Sequence, residues 1–199
     1  MAETVCLRPG TQTWTPSDVV IASFDPAVKN LAVRVERRRL TLPTEALVFD
    51  KWELPDDGMY PALCAHMEAI DDALALCQVA VVERQNPVSK GFQVHTNSKV
   101  MRIFGFLTGW LAARFPTLAV YDVSPKLKGK VLGAPTGLTY AQTKSWSVTR
   151  AKELLAASDD QPSLARLTQR GGGKKDDLAD VVVQAEAFLL TAAGSATRG

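Results

Sequence analysis

The sequence predicts an α/β domain with a mixed five-stranded sheet flanked by helices. Three observations lead there. Short β-branched or alternating runs fill the first quarter of the chain, an apolar stripe at helical spacing passes directly into the all-apolar strand "VAVVE", and a long final helix opens on acids. The 199 residues, 46% hydrophobic and 22% charged, suffice for one well-buried core and are few for two.

Taken in order, residues 1–17 are polar, contain Pro9, Gly10 and Pro16, and read as a flexible N-terminal arm ahead of a single domain over 18–193, with 194–199 a tail. "DVVIASFD" (18–25) is a β-branched run ending in Asp25. "LAVRVERRR" (31–39) places Leu31, Val33 and Val35 on one face of a second strand, and "ALVFDKWEL" (46–54) supplies a third. From Pro61 to Gln78, the residues Leu63, Met67, Ile70, Leu74 and Cys77 recur at spacings of four and three, the core stripe of one helix. "VAVVE" (79–83) suits a strand covered on both faces. A helix over about 96–115, a strand over 118–124, a basic Pro/Gly loop over 125–139 and a helix over 140–157 follow. Residues 158–175, with three consecutive glycines, read as mobile before the last helix, "DDLADVVVQAEAFLL". Three strands, helix, strand, helix, strand, then helices is the element order of an RNase H-like domain. That architecture implies strand order 3-2-1-4-5 with strand 2 antiparallel.

Composition excludes several functions. A formal net charge of +2, from 23 basic and 21 acidic residues, neither requires nor forbids a polyanionic partner. Cys6, Cys64 and Cys77 lack C-x-x-C spacing, and His66 and His95 are isolated, against a disulfide framework or a zinc cage. No stretch nears the roughly 20 apolar residues that span a bilayer, and no secretory or transit segment is recognisable at the N-terminus, so a soluble intracellular protein is expected.

The acids stand at the ends of elements. Asp25 closes the first strand and Glu83 the fourth, and neighbouring strands would project the two together. The last helix begins Asp176, Asp177, and Asp180 follows at i+3 on the face of Asp177, with Gln184 one turn further. Each feature also has a plain reading, since first-turn aspartates cap helices and strand ends meet water. Their coincidence favours a shared site. Clustered carboxylates without partner bases repel, and hard divalent ions with oxygen ligands, Mg2+ or Mn2+, relieve that repulsion; a pair about 4 Å apart can hold the attacking water and leaving oxygen of a phosphodiester in line.

At "IASFDPAVKNLAV" (21–33), "VVERQNP" (81–87), "VSPKLKGKVLG" (123–133) and "KKDDLADVVVQAEAFL" (174–189) the chain resembles the RuvC-like Holliday junction resolvases, in particular the branch of poxviruses and related large DNA viruses, with mitochondrial resolvases as cousins. The resemblance implies that Asp25, Glu83, Asp177 and Asp180 are catalytic acids holding two Mg2+ ions, that Lys29 and Asn30 belong to the first motif's turn, and that Lys174 or Lys175 lies near the scissile phosphate. Ala27 departs from the family, which often has glycine there; if that turn needs positive φ, it must be remodelled.

Basic side chains adjoin these acids along the chain: Lys90, Lys99 and Arg102, then Lys126, Lys128 and Lys130, then Lys144, and finally Lys174 and Lys175. They fit either a solvated face or a DNA channel, and their adjacency to the acids favours the channel. The helix around 96–115 is apolar on most of its circumference, with Gly105 and Gly109 four apart, which fits either a helix central in its own core or a homodimer contact, and the contact is favoured. The combined reading is an endodeoxyribonuclease that resolves four-way junctions by paired symmetric nicks leaving 5′-phosphate and 3′-hydroxyl. The alternatives are an RNase H-like nuclease acting on RNA/DNA hybrids or flaps, and a non-catalytic DNA-binding module. A proofreading-type exonuclease would want Asp-x-Glu where Asp25 is followed by Pro26 and Ala27, and an actin-like ATPase needs two such domains.

Overall fold

The computed structural model describes residues 3–85, 94–169 and 175–196, so Lys90 and Lys174 lie outside the described residues. The sheet begins with a meander: β2 (Val19–Asp25), β3 (Leu31–Arg39) and β4 (Leu42–Trp52) run antiparallel to their neighbours. β5 (Val79–Glu83) joins β2 in parallel, and β6 (Ala119–Val123) joins β5 in parallel. The five expected strands are therefore present in the expected order.

The strand count itself needs correction. A sixth strand, β1 (Thr4–Arg8), pairs antiparallel with β6, giving the order β1-β6-β5-β2-β3-β4. It falls in the segment read as a loose arm. Val5 and Leu7 stay exposed, so burial imposes no pattern on the sequence there; backbone pairing and anchors hold the strand instead. The Arg8 guanidinium donates to the carbonyls of Ala112, Phe115 and Pro116, where a cation complements a helix C-terminus. Gly10 runs so close to Ala119 and Thr117 that a Cβ there would lie 2.8 Å from a backbone nitrogen.

Period-two alternation sorts each central strand into two cores. Ala22, Phe24, Val33, Ala80 and Val82 face α1 (Met59–Ala69), α2 (Asp71–Ala75) and α3 (Val94–Arg114), meeting Leu63, Met67, Ile103 and Leu107. Ile21, Val79 and Val81 face α4 (Lys126–Leu132) and α7 (Asp176–Ala196), while Ala32 and Phe49 meet α5 (Tyr140–Ala157), α6 (Gln161–Thr168) and α7.

Three helical expectations change. The stripe over 61–78 is carried by two helices, because Ile70 leaves helical geometry and its N–H reaches the i−3 carbonyl of Met67. The basic segment read as a loop holds α4, for which buried Leu127 and flanking Val131 suffice as anchors and Gly133 supplies a left-handed C-cap. The segment read as mobile holds α6, started by the Asp160 carboxylate, which accepts from the Ser163 N–H at 3.1 Å, and by Pro162 in the first turn. Among the described residues no helix is long and apolar enough to cross a membrane.

Candidate active site

Asp25 shares its sheet face with Ser23 and Ile21, and Glu83 shares that of Val81 and Val79. Since β2 and β5 are adjacent and parallel, both carboxylates emerge at one edge, on the side covered by α4 and α7. α7 crosses that face. Its apolar residues Leu178, Val181, Val182 and Ala185 are buried, which carries the acids of the first turns over the strand ends.

Lys128 joins them. Its ammonium lies 2.9 Å from Glu83 Oε2 and 2.9 Å from Asp180 Oδ1. Lys144, on α5, reaches Asp180 Oδ2 at 2.9 Å and Asp176 at 3.1 Å, and the Ser147 hydroxyl donates to Asp180 Oδ1 at 2.6 Å. Burial alone would raise the Asp180 pKa, but Lys128, Lys144 and the Ser147 hydrogen bond outweigh it and hold the carboxyl below its ordinary value. Asp25 behaves oppositely. Burial first, then repulsion from Glu83, pushes it well above the ordinary carboxylate range despite Lys128. Both lysines titrate above the ordinary lysine value because their carboxylate partners overcome burial.

Asp177 acts with Asp176, Asp180 and Lys144. Its pKa is raised by burial and then by Asp176, and one carboxylate oxygen, Oδ2, is buried without a hydrogen-bond partner. Among the described residues five acids, Asp25, Glu83, Asp176, Asp177 and Asp180, thus lie around two ammonium groups, Lys128 and Lys144, with Lys51 a further cation acting on Asp177. Among the described residues no three His, Cys, Asp or Glu side chains are already arranged to hold a metal ion. The Lys128 ammonium stands between Glu83 and Asp180 instead.

The other basic candidates among the described residues have partners outside this cluster or are exposed. Lys29 is exposed in the turn after Asp25, beside half-buried Asn30, and its charge acts on Asp56. Lys99 pairs with Asp56 at 2.6 Å, and Arg102 lines the same shallow cleft. On α4, Lys126 and Lys130 are exposed one turn apart, with Lys130 3.2 Å from Glu3. Lys175 donates to the Gln169 carbonyl. Ala27 does not take positive φ, since Asp159 is the only non-glycine residue that does among the described residues.

Sequence reasoning grouped Lys128 and Lys144 with the outward-facing basic residues and passed over Ser147. A signal was available for α5: Lys144 heads the stripe Ser147, Ala151 and Leu155, whose members are all buried. A lysine on a buried stripe needs an anionic partner.

Lys128→Met tests how the cluster is held together. Removing the shared ammonium leaves Glu83 facing Asp180 across a poorly hydrated gap. We expect the unfolding free energy at pH 7 to fall by about 2 kcal/mol. The Asp180 carboxyl, held low in the folded protein, gives stability that is present above the ordinary carboxylate pKa and lost as pH falls through its folded value. The deficit should therefore shrink in acid, which urea denaturation across pH will measure.

No family model matches the chain. Over 114 residues it is 31% identical to the uncharacterised protein 97L of Invertebrate iridescent virus 3; the match covers 56% of this chain, which spans about half of that protein's length, 48%. Solved structures align over nearly all of it. Thermus thermophilus RuvC in complex with a Holliday junction substrate superposes with TM-score 0.59 at 14% identity, covering 89% of this chain and 96% of RuvC. The fowlpox virus resolvase with its Holliday junction DNA gives 0.57 at 16% identity over 87% and 98%. The yeast mitochondrial Holliday junction resolvase gives 0.56 at 14% identity over 90% and 80%. The chain thus has the RNase H-like fold of the RuvC-like Holliday junction resolvases.

Proposed function

We propose that the protein is a metal-dependent, structure-selective endonuclease that resolves four-way DNA junctions by paired symmetric nicks, leaving 5′-phosphate and 3′-hydroxyl ends. One observation carries this reading. The strand-end acids of two adjacent parallel strands and a buried acid of α7 converge on a cationic group, Lys128, at a single sheet edge. The fold is shared with proteins whose structures contain junction DNA.

The residues fit divalent ions. The donors are all carboxyl oxygens, the acids outnumber the ammonium groups beside them, and Asp177 Oδ2 is buried without a partner. Asp25, Glu83, Asp177 and Asp180 would hold two Mg2+ ions, with Mn2+ able to replace them. Bound there, the ions would activate water for attack on phosphorus and neutralise the departing oxygen. Ser147 and Lys144 keep Asp180 ionised and oriented. Asp25, whose proton is held by burial and the Glu83 charge, would have to give it up for a metal to be held there, so metal binding should improve with rising pH. Lys128 and Lys144 would offer positive charge to the scissile phosphate, a role Lys174 or Lys175 would share. Lys29, Lys90, Lys99, Arg102, Lys126 and Lys130 would bind backbone phosphates, and affinity should fall steeply with salt.

Two active sites require two copies of the chain. α3 presents Gly105, Gly109 and Ala113 to solvent at spacings of four, beside half-buried Phe106 and Trp110, and a Cβ built on either glycine meets no atom within 4 Å. That smooth stripe supports a twofold homodimer through α3, each subunit cutting one strand. The test is a four-way junction extruded in a supercoiled plasmid, with an RNA/DNA hybrid and a flap as competitors. The expected result is Mg2+-dependent linear product arising by paired nicks that ligase can reseal. Singly nicked circles as the lasting product would remove the dimer. Preferential cutting of the hybrid or flap would replace the substrate, and junction binding without cleavage at any Mg2+ or Mn2+ concentration would leave only a binding module.

A further inference from the structure

One turn beyond Asp180 on α7, Gln184 is buried at 3% exposure against the sheet. Its amide nitrogen has two hydrogens and three oxygens in reach: the Ser23 hydroxyl at 3.0 Å, the Phe24 carbonyl at 3.1 Å and the Val81 carbonyl at 3.4 Å. Both carbonyls can only accept, which fixes the amide with its nitrogen towards the sheet. Phe24 immediately precedes Asp25 on β2, and Val81 lies two residues before Glu83 on β5. The ladder pairs Ser23 with Val81 and Phe24 with Val82, so the amide bridges two neighbouring strands directly beneath the point where their carboxylates emerge. A polar side chain in this apolar layer, between Val181 and Phe188 on the same helix, would cost stability without those acceptors.

We propose that Gln184 is a positioning residue: by tying β2 to β5 it sets the separation of Asp25 from Glu83, and thereby the affinity of the site for divalent ions. This rests on the metal-dependent reading above. Partners that orient metal-binding carboxylates from behind change affinity by about 10–100-fold when removed. A residue that only filled space would change stability and leave metal binding alone.

The test uses Gln184→Leu and Gln184→Met, which keep the bulk without the donors, beside Leu189→Ala as a packing control from the same helix, 1% exposed. Mn2+ binding to DNA-free protein is followed by titration calorimetry, together with the Mg2+ concentration giving half-maximal junction cleavage. Both Gln184 variants should bind Mn2+ about tenfold more weakly and need about tenfold more Mg2+, with a smaller loss of rate at saturating metal. Leu189→Ala should lose thermal stability with both metal readouts unchanged. If both Gln184 variants bind Mn2+ as the wild type does, or Leu189→Ala shifts the midpoint equally, the positioning role is wrong while the nuclease reading stands. A wild-type protein that neither binds Mn2+ nor cuts DNA overturns both.

Discussion

Asp25→Asn is expected to slow junction cleavage at saturating Mg2+ by about 10³-fold or more, roughly 4 kcal/mol of transition-state stabilisation, while making the metal-free protein more stable. The two effects share a cause. Asp25 sits where burial and the Glu83 charge disfavour its ionised form, and the proposed metal binding would require that form. Because its folded pKa is raised, the folded chain binds more protons than the unfolded chain between the ordinary carboxylate pKa and the folded value. Stability attributable to Asp25 therefore falls as pH rises through that window. Asparagine carries no such cost. The gain should be on the order of 1 kcal/mol at neutral pH, since each tenfold difference in proton affinity between folded and unfolded chain is worth about 1.4 kcal/mol, and should vanish below the ordinary carboxylate pKa. Urea unfolding of both proteins at pH 3 and pH 7, with cleavage rates at saturating Mg2+, checks this. An asparagine variant that cuts normally would remove Asp25 from the site. One that is less stable at pH 7 would mean that Lys128 stabilises the ionised acid more than Glu83 and burial oppose it.

Burial decided which parts of the molecule could be read from the sequence. The all-apolar Val79–Val82 and the alternation of Leu31, Val33 and Val35 announce their strands because both faces, or one, are covered. Thr4–Arg8 announces nothing, since Val5, Cys6 and Leu7 face water and the strand is held by backbone pairing and the Arg8 anchor. α4 and α6 are brief and rest on few core contacts, so lysines and a glycine obscured the first, and the Asp160 cap with Pro162 was outweighed by the flanking glycines of the second. Within the site, the acids were legible because element ends are visible in sequence. The ammonium groups were not, because whether a lysine turns inward depends on which charges the fold brings opposite it. Lys126 and Lys130 point out from the same helix that turns Lys128 in.

Far from the strand ends, one face of β3 carries Arg34, Glu36 and Arg38 where apolar residues would be expected, and Glu36→Leu should cost about 3–5 kcal/mol of stability. Arg34 is 1% exposed, bonded to Glu36, to Asp160 at 2.6 Å and to the Ser163 hydroxyl at 3.0 Å, and it lies over the Phe49 ring. Arg38 shares Glu36 at 2.6 Å and reaches Glu186 of α7 at 2.7 Å. Glu36 is thus the anion between two guanidiniums, and its loss strands Arg34 in the core with one carboxylate already engaged in capping α6. Burial alone would raise the Glu36 pKa, but Arg34 and Arg38 overcome this and hold it below the ordinary value. Its contribution is therefore present above the ordinary carboxylate pKa and lost as pH falls through the folded value, so the mutational penalty should be largest near neutrality and shrink in acid. The double variant Arg34→Met/Glu36→Leu should cost less than the sum of the single substitutions, because replacing a buried pair with apolar groups removes both desolvated charges at once. Additive costs in urea denaturation would mean the two side chains act independently. Coupling would show that Arg34 and Glu36 act as one unit; Arg38 and Glu186 extend that network to α7, the helix that carries Asp177, Asp180 and Gln184.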